Sequence, residues 1–202
     1  VLFGAFPDAA AALEKAVREA LFTCDMVVLS GGTSKGAGDL SHAIVSRLGK
    51  PGILVHGVAL KPGKPLCLGV VGNTPVIVLP GFPTSAIFTF HAFVAPVIRA
   101  RAGLPPEAAE TIAARVPVRV ASEMGRKEFV LVSLVQNEEG AVAFPTGKGS
   151  GSVTSFSQAD GFIEIDALAS ALDADSEARV TLIGSAAQAP DAALAHARAL
   201  LR

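Results

Sequence analysis

Three loops carry the residue types that can do chemistry. The first, Gly31-Gly32-Thr33-Ser34-Lys35-Gly36-Ala37-Gly38-Asp39, follows the apolar run 25–30. Its glycines lower the steric cost of positive φ and let backbone N–H groups approach a ligand. Thr33 and Ser34 add hydroxyls, Lys35 a cation, and Asp39 a carboxylate able to hold Mg²⁺. An ordinary strand-to-helix connection capped by Asp39 would look much the same. The second loop, Lys61-Pro62-Gly63-Lys64-Pro65, puts two cations on a turn stiffened by two prolines, which suits holding an oxyanion at low entropic cost; a solvated lysine turn has the same composition. The third, Pro80-Gly81-Phe82-Pro83-Thr84-Ser85, reads as a rigid strand-to-helix turn offering free N–H groups to an anion, although capping by Thr84 or Ser85 accounts for it equally well. The combination is the stronger signal.

Positioning these loops falls to alternating strands and helices. Residues 25–30 are short, β-branched and nearly uncharged, as a central strand buried on both faces of a parallel sheet reads, and 39–48 reads as the helix after it. Upstream, 1–6 reads as the end of a strand, and Asp8 as the N-cap of a helix over 9–23 with Leu13, Val17, Ala20 and Leu21 on one face. Downstream, 52–60, 65–71 and 75–79 are extended, and an apolar helix runs from Thr84 or Ser85 toward Arg101. Ligands of open α/β sheets bind outside the carboxyl ends of strands. If the strands ending at Ser30, Leu60 and Leu79 are neighbours running the same way, the three loops converge at one edge. If 52–60 and 65–71 instead form an antiparallel hairpin, Lys61 and Lys64 sit at its tip.

Leu104-Pro105-Pro106-Glu107 breaks this rhythm, and strand signals dominate beyond it. Extended runs at 115–120, 128–136, 141–144, 161–165 and 179–183, with a hairpin turn at 137–140, predict a small β-barrel or sandwich. A second glycine and hydroxyl loop, 147–152, precedes a short helix over 153–158, and 191–201 reads as a terminal helix. The expected fold class is α/β: a parallel-sheet domain over 1–103, a mostly-β domain over 104–185 and a tail over 186–202.

Half of the 202 residues are hydrophobic, 17% are charged, and 17 basic against 18 acidic side chains leave a net charge of −1. Such a chain can bury a real core, and it offers no field for nucleic acid or an anionic membrane, so a small molecule or a protein partner is expected. Prolines interrupt the apolar stretch 76–98 and argue against a membrane span. Cys24 and Cys67 lack metal-ligand spacing and read as buried free thiols, consistent with a reducing cytoplasm. The chain starts at Val1 with no signal-like segment, which suggests a fragment.

The order and spacing of Gly31–Asp39, Leu60–Pro65 and Leu79–Ala86 resemble the molybdopterin molybdenumtransferase family of the MoeA and gephyrin E-domain type. In the second half, Gly125-Arg126-x-Glu128-Phe129, Gly149-Ser150-Gly151, Ser155 and Ala159-Asp160-Gly161 resemble that family's C-terminal β-barrel. The resemblance covers roughly residues 5 to 184. It implies a molybdopterin-binding α/β domain, truncated at its N-terminus, followed by the barrel. It also implies Mg²⁺-dependent insertion of molybdate into adenylylated molybdopterin with release of AMP, in a homodimeric protein. By position, Asp8 and Asp39 match family carboxylates at the pterin and metal site, with Asp39 the metal ligand, and Lys61 matches an anion-binding lysine. Gly31, Gly32, Thr33, Ser34, Lys35, Gly36, Lys64, Pro80, Gly81, Pro83 and Ser85 fall in the pterin- and anion-binding loops, joined from the barrel by Arg126 and Ser150.

Three departures from the family pattern stand out. His56-Gly57 occupies the place of a family Arg or Lys, Lys35 stands where a small apolar residue is usual, and Phe82 replaces an Asn in the proline turn. The family's two N-terminal domains and the first strand and helix of its α/β domain have no counterpart here. Family active sites lie between this domain and a partner subunit's N-terminal region, so a fragment would bind without turning over. Two other readings remain: a non-catalytic pterin-binding or scaffold module that anchors a receptor peptide in the gephyrin manner, and a related pterin-fold nucleotide hydrolase lacking the lysine turn and the barrel.

Overall fold

A computed structural model describes residues 1–7, 9–31, 40–147 and 153–183, with Val153 described for its backbone only. The chain divides into two units, one over 1–106 and one over 107–147 and 154–183. The first contains α1 (Ala10–Thr23), β1 (Val27–Ser30), α2 (Leu40–Leu48), β2 (Pro51–His56), β3 (Leu60–Lys61), β4 (Cys67–Val71), β5 (Thr74–Leu79) and α3 (Pro83–Thr89), then a π-helical segment (Phe90–Val94) and α4 (Ala95–Arg101). Its four-stranded sheet has the order β1-β5-β4-β2. β1 and β5 are parallel, with Ser30 opposite Leu79, while β4 is antiparallel to both β5 and β2. Hence β1, β5 and β2 all run one way, and only β4 is reversed.

The strand buried on both faces is β5. Val76 and Val78 pack with Ala20 of α1 and Val45 of α2, whereas Ile77 and Leu79 pack with Val94 of the π-helical segment. Alternation along one strand thus joins a helical layer on each face, and each aliphatic side chain so buried contributes about 1.5–3 kcal/mol. Helix α1 buries Ala16, Val17 and Ala20, a spacing that lines one face.

Several local expectations are corrected. The run ending at Ser30 is not a central strand: β1 lies at the edge of the described sheet, with Val28 43% exposed. Its composition suits burial, but position in a sheet depends on which strands pair, which a local run does not encode. Residues 1–6 form no strand, and Val1 and Leu2 are exposed. Ala9 takes the N-cap position of α1 without a side-chain bond, and Asp8 lies outside the described residues. Neither Thr84 nor Ser85 caps the third-loop helix; Phe82 is its N-cap because Pro83, with φ fixed near the helical value and no N–H to satisfy, occupies the first turn.

The second unit contains β6 (Thr111–Val116), β7 (Val120–Ala121), β8 (Lys127–Asn137), β9 (Gly140–Pro145), α5 (Val153–Ser157), β10 (Gly161–Ile165), β11 (Ala171–Leu172) and β12 (Ser176–Leu182). Five strands pair in the order β10-β12-β6-β9-β8, and β8 also pairs with β10, closing a small barrel. The β8–β9 hairpin turns at Asn137, whose side-chain oxygen accepts the Glu139 N–H at 3.0 Å. Ala114, Val116, Val130, Val132, Ala143, Ile163 and Val180 fill the interior. The expected terminal helix over 191–201 lies outside the described residues. Cys67 is buried and Cys24 only partly covered, and neither forms a disulfide. Among the described residues no helix is long and apolar enough to cross a membrane.

Candidate functional site

Because β1, β5 and β2 share one direction, their carboxyl ends, Ser30, Leu79 and His56, leave the sheet at one edge. The glycine loop starts at the first end, the proline turn at the second, and the chain leading to the lysine turn at the third. Gly31 extends the β1–β5 ladder by one bond, its N–H donating to the Leu79 carbonyl at 3.0 Å, and then turns away at φ 95°. A Cβ on Gly81 would stand 3.6 Å from the Gly31 α-carbon. The first and third loops therefore touch backbone to backbone at their roots. The hydroxyl of Ser41, in the first turn of α2, donates to the Gly31 carbonyl at 3.4 Å.

The lysine turn takes the hairpin alternative, since β2 and β4 are antiparallel and 57–66 forms the tip. Four backbone bonds close it: Gly57 N–H to Leu66 at 2.8 Å, Val58 N–H to Lys64 at 2.9 Å, Leu60 N–H to Val58 at 2.9 Å and Leu66 N–H to Gly63 at 3.1 Å. Gly63 is buried at φ 125°, and a Cβ there would fall 2.5 Å from the Thr89 methyl. Thr89 is fully buried, and its hydroxyl donates to the Ser85 carbonyl at 2.8 Å and the Ala86 carbonyl at 3.2 Å. One turn of α3, about 6 Å of rise, separates Ser85 in the proline turn from Thr89 under the lysine turn. Lys61 is half-buried and Lys64 exposed.

The residues singled out by sequence are distributed as follows. Gly31, Lys61, Lys64, Pro80, Gly81, Pro83 and Ser85 belong to the first unit, and their loops share its sheet edge. Pro80 and Ser85 are buried and build the scaffold, while Gly81, Phe82 and Pro83 are exposed. Gly32, Thr33, Ser34, Lys35, Gly36, Asp39, Asp8 and Ser150 lie outside the described residues. Arg126 belongs to the second unit, where it is paired with Glu123. Its loop is tied down by Ser122 Oγ donating to the buried Glu128 carboxylate at 2.8 Å and by Gly125 N–H donating to the Ala167 carbonyl at 2.6 Å.

Two residues escaped the sequence reading. Thr89 carries the lysine turn, and its spacing of four from Ser85 inside an apolar helix was the available signal. His42, in the first turn of α2, stacks on His56 at the end of β2 with ring centroids 4.6 Å apart. That contact joins the helix after the glycine loop to the strand before the lysine turn. Among the described residues no group of three or more His, Cys, Asp or Glu side chains could hold a metal ion.

Comparison with known proteins agrees with this arrangement. Residues 3–100 match a family described as a probable molybdopterin binding domain, and 113–183 match the MoeA C-terminal region (domain IV). The molybdopterin molybdenumtransferase of Haemophilus influenzae is 33% identical over 144 residues, covering 69% of this chain and 34% of that one. The Nostoc enzyme of the same name is 37% identical over 107 residues, covering 52% and 24%. A molybdopterin biosynthesis MoeA protein from Pyrococcus horikosii superposes with a TM-score of 0.71 at 38% identity, covering 88% of this chain and 42% of that one. The chain spans about a third of the length of the curated relatives it matches. With both domain types present in family order, the chain belongs to the MoeA-type molybdopterin molybdenumtransferase family.

Proposed function

We propose that this chain forms the pterin- and anion-holding part of an enzyme that inserts molybdate into adenylylated molybdopterin and releases AMP. The observation that supports this best is the departure of three glycine- and proline-bearing loops from one sheet edge, one of them carrying two lysines on a backbone-bonded turn. Lys61, half-buried on that turn, holds the oxyanion, with Lys64 adding to the field and the glycine-loop N–H groups lining the same ligand. Asp39 supplies the carboxylate for the pterin side and for Mg²⁺. Asp8 adds a second carboxylate on the pterin side. The full protein works as a cytoplasmic homodimer.

The departures at His56-Gly57 and Phe82 give weight to a second reading, a pterin-binding module of the same fold without turnover. Both readings require that Lys61→Ala weaken binding of molybdate or a pterin phosphate by roughly one to two powers of ten, as calorimetry would measure. Unchanged affinity would remove Lys61 from the site. Molybdenum insertion by the full-length protein, and its loss in Asp39→Ala, separate the readings. In the full-length protein that substitution should abolish molybdenum insertion with little change in the thermal midpoint if the protein is an enzyme. A full-length wild-type protein that binds but never inserts molybdenum is the scaffold module.

A further inference from the structure

Phe82 is the least explained side chain near the three loops. It occupies the N-cap of α3, a position favoured by Ser, Thr, Asp and Asn because their oxygens satisfy a free helical N–H, yet no side-chain cap bond is made there. Its ring gains little from burial either, being 61% exposed while Pro80, Thr84 and Ser85 around it are buried. Neither local capping nor core packing accounts for a phenylalanine at this place. The backbone beneath it is rigid, fixed by buried Pro80 on one side and by Pro83 in the first helical turn on the other. Gly81, the residue before it, lies against Gly31 at the root of the glycine loop.

We infer that Phe82 is a binding platform on which a planar heteroaromatic ring of the ligand stacks. A benzyl ring has two χ angles to fix and no polar atom to desolvate, so an exposed ring on a stiff turn loses little entropy when a flat partner covers it. The inference rests on the function proposed above, which supplies two such rings, the pterin bicycle and the adenine of the nucleotide. Stacking recognises both by the same chemistry.

The chain contains no Trp or Tyr, so Phe82→Trp installs a sole tryptophan reporter. Its emission should be quenched saturably by 6-hydroxymethylpterin if the platform takes the pterin, or by AMP if it takes the adenine. Phe82→Ala should weaken binding of that same probe about tenfold in calorimetry, whereas Phe82→Trp should retain it. Phe82→Asn gives the decisive contrast. It supplies the missing cap and should raise the thermal midpoint by a few degrees while binding the probe as weakly as the alanine variant. Probe affinity unchanged in both Phe82→Ala and Phe82→Asn overturns the platform and leaves the proposed function standing. So does a loss of self-association in Phe82→Ala with binding intact, which would make the ring a subunit contact. Failure of both probes to bind the wild-type chain overturns the platform and the reading of the site together.

Discussion

The two units solve the edge problem of β-structure in opposite ways. In the second, β8 pairs with both β9 and β10, so the five barrel strands close on themselves. In the first, the described strands leave the sheet open at both ends, and its edges are unequal. β2 carries a bulge between Ile53 and Val55 and begins with Pro51, both features that discourage further pairing. β1 offers Val27, Val28 and Leu29 without either feature. The first unit's three co-directional strands send their connections out together at their carboxyl ends. In the barrel, by contrast, the acidic and basic groups near Arg126 are largely consumed by pairing, as with Arg126–Glu123 and Lys127–Glu164. One unit is built to be filled by its own side chains and the other to present loops.

The sharpest way to break this contrast is at two glycines. A Cβ on Gly161 in β10 would meet the Thr181 carbonyl oxygen at 2.5 Å and the Val180 side chain at 2.6 Å. A backbone oxygen inside a closed ladder has nowhere to go. Gly161→Ala should therefore destabilise the barrel by about 3 kcal/mol, lowering its melting by roughly 10–20 °C, with anion binding by the first unit unchanged. A melting curve that does not move would show that the barrel relaxes freely. Gly63→Ala should cost less, about 2 kcal/mol, because its obstacle is the methyl of Thr89, although the φ of 125° adds strain. Adding Thr89→Ser removes that methyl while keeping the hydroxyl and should recover about half of the loss. Here binding should suffer with stability, since the lysine turn is displaced. If Gly63→Ala leaves molybdate affinity intact, the turn is not seated through Thr89.

Much of this was legible because the decisive signals were local. The proline turn and the Asn137–Gly140 hairpin announce themselves through backbone chemistry that few other residues allow, and β10 spans the expected run 161–165. What escaped depended on long-range pairing. The run at β1 has the composition of a doubly buried strand, but burial on both faces went to β5, which has a neighbour on each side and helices above and below. The path of the lysine turn stayed open between two arrangements until the reversed β4 decided it. β7 and β11, two residues each, are too short to show any period. Thr89 and His42 act through contacts that only the folded chain creates. Thr84 and Ser85 looked like caps, but Pro83 fixed the helix start ahead of them.

The smallest expected effect concerns the unprotected edge. Val28 is 43% exposed on β1, and its strand is paired only with β5 among the described residues. A lysine there keeps an aliphatic stem along the sheet and places a charge over the edge, a device by which natural proteins discourage strand addition. Val28→Lys should therefore change stability by no more than about 0.5 kcal/mol while lowering concentration-dependent association, as light scattering would follow. The same substitution at Val132, fully buried in the barrel, should prevent folding, because an unpaired ammonium cannot be accommodated in a closed apolar interior. If Val28→Lys destabilises the first unit by several kcal/mol, the edge is covered in solution, and the contrast between open sheet and closed barrel is weaker than the described strands indicate.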